Sequence, residues 1–156
     1  MVRPGIALYG IEPECDSAIL PKLIMPALQL KTKVVYFKVL ERGEYVGYGR
    51  TYQIKDEYER IVTIPIGYAD GLPRRLSNCG FALIRGKKYP IVGRVCMDQT
   101  IISLGKEGEA YLEDLVTLIG RDGDEIIKVE DIARIIDTTP HEITTCITDR
   151  VPRIYE

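Results

Sequence analysis

Residues 27–40, Ala27-Leu28-Gln29-Leu30-Lys31-Thr32-Lys33-Val34-Val35-Tyr36-Phe37-Lys38-Val39-Leu40, alternate apolar and polar side chains, and the alternation slips at Val34-Val35. A period of two is the mark of a half-buried strand, and a slip in it marks a bend or a bulge. The stretch predicts one long bent strand and sets a β pattern for the residues downstream of it. Arg42-Gly43 turns the chain into a strand over Tyr45–Gln53, Ile54–Glu59 is a charged turn, and Arg60–Ile66 is a third strand. Phe81–Arg85 and Tyr89–Val92 read as a hairpin about Gly86-Lys87, and Val95–Leu104 and Asp114–Ile119 as further strands around the charged loop 105–113. Turn signals at this spacing predict a mainly β fold, a barrel or a sandwich. One short helix is predicted near 129–136, with apolar residues at 129, 132, 133, 135 and 136, and Ile143–Thr148 and Val151–Tyr155 read as strand or extended chain.

Upstream of Ala27 the pattern changes. Val2-Arg3-Pro4-Gly5-Ile6-Ala7-Leu8-Tyr9-Gly10 reads as a short apolar strand with nothing before it to pair with, and Pro13, Pro21 and Pro26 interrupt the connector after it. An unpaired strand is expected to fray or to recruit another chain. The opening reads as a piece cut from something longer.

With 156 residues, 46% of them hydrophobic and 28% charged, the composition is that of one globular domain. A net charge of −2, with the basic clusters Arg74-Arg75 and Arg85-Gly86-Lys87-Lys88 short and separate, gives no footprint for nucleic acid. No apolar run reaches the length of a membrane span, and the N-terminus lacks a signal layout. Cys15, Cys79, Cys96 and Cys146 are far apart and His141 stands alone, which argues against a metal site and for free thiols in a reducing cytoplasm.

Two tyrosines stand out, each preceded by glycine: Val46-Gly47-Tyr48-Gly49-Arg50-Thr51-Tyr52 and Ile66-Gly67-Tyr68-Ala69-Asp70-Gly71. Glycine beside a strand end leaves room for a ligand or a second backbone, so each tyrosine can project its hydroxyl into a cleft. Taken alone, Gly-Tyr-Ala-Asp-Gly is equally an ordinary turn exit.

These two motifs, with Val2–Gly10, Val92-Gly93-Arg94-Val95-Cys96-Met97-Asp98-Gln99 and Arg150-Val151-Pro152-Arg153, occur in an order that closely resembles the C-terminal part of the alanine racemases, over essentially the whole chain. These are pyridoxal-phosphate enzymes of fold-type III, in which an N-terminal barrel carries the cofactor-bearing lysine and a C-terminal β-domain comes after it. The resemblance implies that 1–26 is a remnant of the last barrel strand with its connector, and 27–156 the β-domain. It implies Tyr48 as one of two bases on opposite faces of the substrate, acting across a homodimer interface, with the lysine absent here as the other. A phenol with a pKa near 10 is a poor base at neutral pH, so neighbours must assist it.

By the same resemblance Arg3 faces the pyridine nitrogen of the cofactor, where a guanidinium donates a hydrogen bond without giving up its proton. Gly5 and Ile6 lend amides to the phosphate, Tyr68 lines the substrate entrance, and the backbone amide of Met97, with Asp98 beside it, holds the substrate carboxylate. Arg74 and Arg94 read equally as ligands or as members of ion pairs. His141, in Thr139-Pro140-His141-Glu142-Ile143, stands where the family usually has a tyrosine that bonds the phosphate and limits substrate size. It is either a neutral substitution or the sign of a roomier pocket that takes serine as well as alanine, as in the serine/alanine racemases, whose catalytic module is joined to a membrane domain. On this reading the chain is inactive without its barrel; the alternative is a non-catalytic dimerisation or binding module that keeps the fold.

Overall fold

A computed structural model of the chain describes residues 1–11 and 24–155. Pro13, Pro21 and Cys15, part of the expected connector, lie outside the described residues.

The long bent strand is two strands, β1 (Leu30–Lys33) and β2 (Tyr36–Glu41). After them come the short β3 (Tyr45–Val46) and β4 (Tyr52–Gln53), then β5 (Tyr58–Ile64), β6 (Phe81–Ile84), β7 (Lys87–Val92), β8 (Thr100–Gly105), β9 (Leu115–Asp122) and β10 (Glu125–Ile127). The main sheet runs in the order β1-β9-β6-β7-β8-β5-β2 with β10 also on β9, and each pair is antiparallel. The two ends of that order, β1 and β2, are separated in sequence by Val34 and Val35 alone. Val34 donates its N–H to Asp114 O at 3.0 Å, beside β9, whereas Val35 donates to Thr63 O at 2.9 Å, on β5. The slip in the alternation is thus where the chain leaves one edge of the sheet for the other, and it curls the sheet into a barrel-like shape. Val34 is fully buried at this corner.

The hairpin of β6 and β7 turns through Arg85 (φ 53°) and Gly86 (φ 72°), two left-handed residues whose twist matches that of the strands. Most of the core is aliphatic and lies inside the curl, with Val62, Ile64, Leu83, Ile102, Val116 and Leu118 among its members. A second, smaller cluster of Leu40, Val46, Ile54, Ile61 and Val92 lies under β3 and β4, which pair with each other and with no strand of the main sheet.

Five expectations are corrected. Residues 1–10 are not a strand: Pro4 and Gly5 (φ 58°) start a 3-10 turn over Gly5–Tyr9, closed by Gly10 (φ 74°). Nor does the segment fray, because Ile6 and Ile11 are buried in the core and Tyr9 O accepts the Ala27 N–H at 3.0 Å. Tyr45–Gln53 is interrupted by the Tyr48 turn, and Val95–Gln99 is a loop closed on itself by Cys96 N–H to Gln99 O at 2.9 Å, so β8 begins only at Thr100. Helix α1 (Val129–Ile135) is as expected, but Ile143–Thr148 is not extended, since a second helix, α2, spans Pro140–Cys146. Thr139 caps it by accepting the Glu142 N–H, with Pro140 in the first turn.

Candidate active site

Tyr48 opens a 3-10 turn, Tyr48–Arg50, at the tip of the β3–β4 ribbon and is 74% exposed. Gly47 (φ 69°) and Gly49 (φ 72°) give the turn left-handed steps that other residues adopt only under strain. The turn lies on the segment between β7 and β8: a Cβ at Gly47 would stand 3.4 Å from Arg94 N, and one at Gly49 3.3 Å from Arg94 Nε. From the other side, a Cβ at Gly93 would stand 3.0 Å from Val46 O. Asn78, held at φ 61°, ties the two together, its Oδ1 accepting the Gly93 N–H at 2.6 Å and its Nδ2 donating to Thr51 Oγ1 at 3.1 Å.

Tyr68 opens a second 3-10 turn, Tyr68–Asp70, and is 46% exposed. Its backbone is bonded to the same segment: Tyr68 N–H donates to Cys96 O and Ala69 N–H to Met97 O, both at 3.0 Å. The approach is so close that a Cβ at Gly67 would fall 2.2 Å from Cys96 O. Asp70 is buried and its Oδ2 accepts the Gly67 N–H at 2.8 Å. Its other oxygen meets Arg150 Nε at 3.2 Å, while Arg150 NH2 donates to Asp98 Oδ1 at 2.6 Å. The bond to Asp98, backed by the Asp70 and Asp98 charges, holds the Arg150 guanidinium more firmly protonated than usual.

The segment 93–98 therefore forms a common wall. It touches the Tyr48 turn at Gly93 and Arg94, the Tyr68 turn at Cys96 and Met97, and carries exposed Met97 and half-exposed Asp98. Of the residues singled out in the sequence, this brings together Tyr48, Tyr68, Met97 and Asp98. Arg94 makes no ion pair among the described residues and packs along Gly49, and exposed Arg74 likewise has no carboxylate partner among them.

Arg3, Gly5 and His141 are exposed and no hydrogen bond joins them to that wall. The first internal bond of the N-terminal turn is donated by Ala7, to Pro4 O at 3.3 Å, so the amides of Gly5 and Ile6 precede it. Among the described residues nothing lies within 4 Å of the place a Gly5 Cβ would take. A guanidinium and two amides that make no hydrogen bond among the described residues are all donors, a set that fits an anionic phosphate and an unprotonated ring nitrogen. His141 sits in the first turn of α2, whose other end leans on the Tyr68 turn: a Cβ at Gly71 would lie 2.3 Å from Cys146 O. The helix rise between positions 141 and 146 is about 7.5 Å.

Sequence reasoning passed over Asp70, Asn78 and any role for Arg150. Asp70 carried a signal, since an aspartate three residues after a glycine N-cap is placed to take that glycine's N–H. Asn78 and Arg150 act at 15 and more residues' separation, where local pattern is silent.

The family described as "Alanine racemase, C-terminal domain" matches residues 27–155. An alanine racemase of Halothermothrix orenii is 45% identical across the whole chain, which covers 41% of that protein. Among solved structures, alanine racemase from E. faecalis superposes with a TM-score of 0.88 at 39% identity, over 97% of this chain and 40% of that one. Alanine racemase from Bartonella henselae with covalently bound pyridoxal phosphate gives 0.85 at 33% identity, over 97% and 40% respectively. The chain spans about two fifths of the length of the relatives it matches, and the family match over 27–155 with this identity and superposition make it a member of the alanine racemase C-terminal domain family.

Proposed function

We propose that this chain is the β-domain part of a pyridoxal-phosphate-dependent alanine racemase and supplies Tyr48 as one of two bases that exchange a proton at the substrate Cα. The observation that carries the reading is the common wall 93–98, which sets both tyrosine turns and the Met97–Asp98 pair around one exposed surface. Inversion requires a proton to leave one face of Cα and another to arrive on the opposite face, so two groups are the minimum without a swinging base. Tyr48 takes or returns the proton on one face through its hydroxyl oxygen; a lysine outside this chain serves the other.

The Met97 amide holds the substrate carboxylate, and Arg150 keeps that loop in place through Asp98 while tying it to the Tyr68 turn through Asp70. Tyr68 stands at the entrance. Arg3 would face the ring nitrogen, and the amides of Gly5 and Ile6, with the His141 imidazole, the phosphate. Pyridoxal phosphate, when bound, draws electron density from the Cα–H bond and so makes that proton removable by a side-chain base. Tyr36, Phe37 and Val39 are exposed on the edge strand β2, which supports contact with the barrel or a second subunit, so that Tyr48 serves the partner's site in a homodimer. Among the described residues no helix is long and apolar enough to cross a membrane, and a cytoplasmic setting accords with the free thiols of Cys79, Cys96 and Cys146.

The test uses the full-length enzyme that contains this domain, loaded with cofactor and assayed with L-alanine and L-serine. Tyr48→Phe is expected to cut kcat/KM for racemisation about 10²–10⁴-fold. In D2O the remaining base should still exchange the Cα proton of one enantiomer without inverting it. Racemisation by Tyr48→Phe at the parent rate would reject the base assignment, and a folded, cofactor-loaded enzyme that turns over neither amino acid would favour the non-catalytic module. Serine turnover above that of tyrosine-bearing relatives supports the roomier pocket at His141.

A further inference from the structure

The β3–β4 ribbon that carries Tyr48 shares no hydrogen-bonded strand with the main sheet. Beneath it the packing of Val46, Tyr52 and Ile54 against Leu40, Ile61 and Val92 is apolar and therefore non-directional. One directional contact stands out. Tyr52 donates its hydroxyl to Glu59 Oε1 at 2.7 Å, and the Ser103 hydroxyl donates to the same oxygen. Ser103 is fixed in turn by accepting the Gly105 N–H at 3.1 Å.

Glu59 is 6% exposed, on β5 opposite Leu40 of β2 and next to Arg60, where the pairing of β5 with β8 begins, so its place in the sheet is fixed. A carboxylate in such a place costs desolvation that an apolar side chain would avoid, and its use there calls for a job that needs direction. Tyr52 is the cross-strand partner of Val46, and this pair closes the turn 47–51. What fixes the Tyr52 ring fixes the base of the turn from which Tyr48 projects.

We propose that Glu59 is a positioning residue for Tyr48: through Tyr52 it locks the pair that closes the Tyr48 turn and so sets where the Tyr48 hydroxyl reaches. The inference rests on Tyr48 being a base, and its test separates the two.

The first readout needs no activity. In this chain, Tyr52→Phe should speed hydrogen exchange about 10-fold at the Ile54 amide, which bonds Glu44 O in the ribbon, and leave the Val62 amide of β5 unchanged. Unchanged exchange at Ile54 would overturn the lock.

The second readout uses the full-length, cofactor-loaded enzyme and Cα-deuterated L- and D-alanine. Enantiomers have equal energy, so kcat/KM stays equal in the two directions in every variant; asymmetry is read from the isotope effects instead. Tyr52→Phe and Glu59→Leu should lower kcat/KM about 10- to 100-fold by misplacing Tyr48. They should raise the isotope effect for one enantiomer and lower it for the other, with the same sense as Tyr48→Phe. Glu59→Gln keeps an oxygen acceptor and should recover part of the loss. Val116→Ala, a core change far from the ribbon, should lower stability and leave the ratio of the two isotope effects at the parent value. A Tyr52→Phe enzyme that behaves like Val116→Ala overturns the positioning role while Tyr48 stands. A Tyr48→Phe enzyme with no asymmetry removes the base, and this inference with it.

Discussion

The two tyrosine turns look alike in sequence and are held in opposite ways. The Tyr68 turn is fixed by its backbone: two main-chain hydrogen bonds to Cys96 and Met97, a glycine pressed against those carbonyls, and the buried carboxylate of Asp70 closing it from within. The Tyr48 turn is fixed by side-chain bonds, Tyr52 to Glu59 of β5 and Asn78, in the loop before β6, to Thr51, above a small apolar cluster of its own. Backbone bonds to a loop closed on itself give a rigid rim. Side-chain tethers leave a projecting tip whose aim depends on a few contacts. On the proposed function, the rim would suit an entrance that must keep its size, and the tip a group that must reach into a site built largely outside this chain.

The contrast is broken most directly at the glycines. Gly67 has an extended φ of −149°, so alanine there is not strained in its backbone, yet its Cβ would fall 2.2 Å from Cys96 O and 2.5 Å from Met97 O. Those are backbone atoms held in place, and Gly67→Ala should cost about 3 kcal/mol, or about 10 °C in Tm. At Gly49 the obstacle is φ 72° and the nearest atom is Arg94 Nε, the end of a flexible side chain. Gly49→Ala should cost about 1–2 kcal/mol. Equal losses in thermal unfolding would mean the two turns are held alike.

A smaller effect sharpens the same difference. Asp70→Ala leaves the buried Gly67 N–H without an acceptor and takes one of two carboxylates from Arg150, which should cost about 2 kcal/mol. Asn78→Ala removes the acceptor of the Gly93 N–H, a part-buried bond, and frees the exposed Thr51 hydroxyl, but breaks no charge pair, and should cost about 1 kcal/mol. Urea unfolding with an unchanged m-value measures both. A larger loss at Asn78 than at Asp70 would reverse the ranking of tether and rim.

Most strands were legible because period-two alternation is a direct record of one buried face, and the Val34-Val35 slip marked the corner though not its meaning. That β1 and β2 close the two edges of one sheet depends on partners 82–89 and 17–27 residues away in the chain, respectively. Helix α2 was missed because Ile143, Thr144, Thr145, Ile147 and Thr148 are β-branched and read as strand. Thr139-Pro140-His141-Glu142 nevertheless spells a capped helix start, and the cap outweighed propensity. The opening residues read as strand from their apolar character, but Pro4 and the left-handed Gly5 bend them into a turn that buries Ile6. Of the candidate site, the glycine-bounded tyrosines were visible locally. The shared wall was not, since Gly67 meeting Cys96 and Arg150 meeting Asp98 are contacts across the fold.

The smallest effect concerns the tether itself. Burial, and then the bond to Glu59, push the Tyr52 phenol up to about 12, against about 10 in an unfolded chain. Between those two values the folded protein keeps a proton that the unfolded chain has lost, so stability from this group falls as pH rises through the window; below pH 10 it is fully present. Tyr52→Phe has no such proton. The stability gap between parent and Tyr52→Phe, followed by urea midpoints from pH 8 to 12, should hold steady to about pH 10 and then shrink. The ring is partly open to solvent, which blunts the change without altering its sign. A gap that stays constant to pH 12 would mean the hydroxyl is not held by the carboxylate, and the side-chain tether would reduce to the apolar cluster beneath the ribbon.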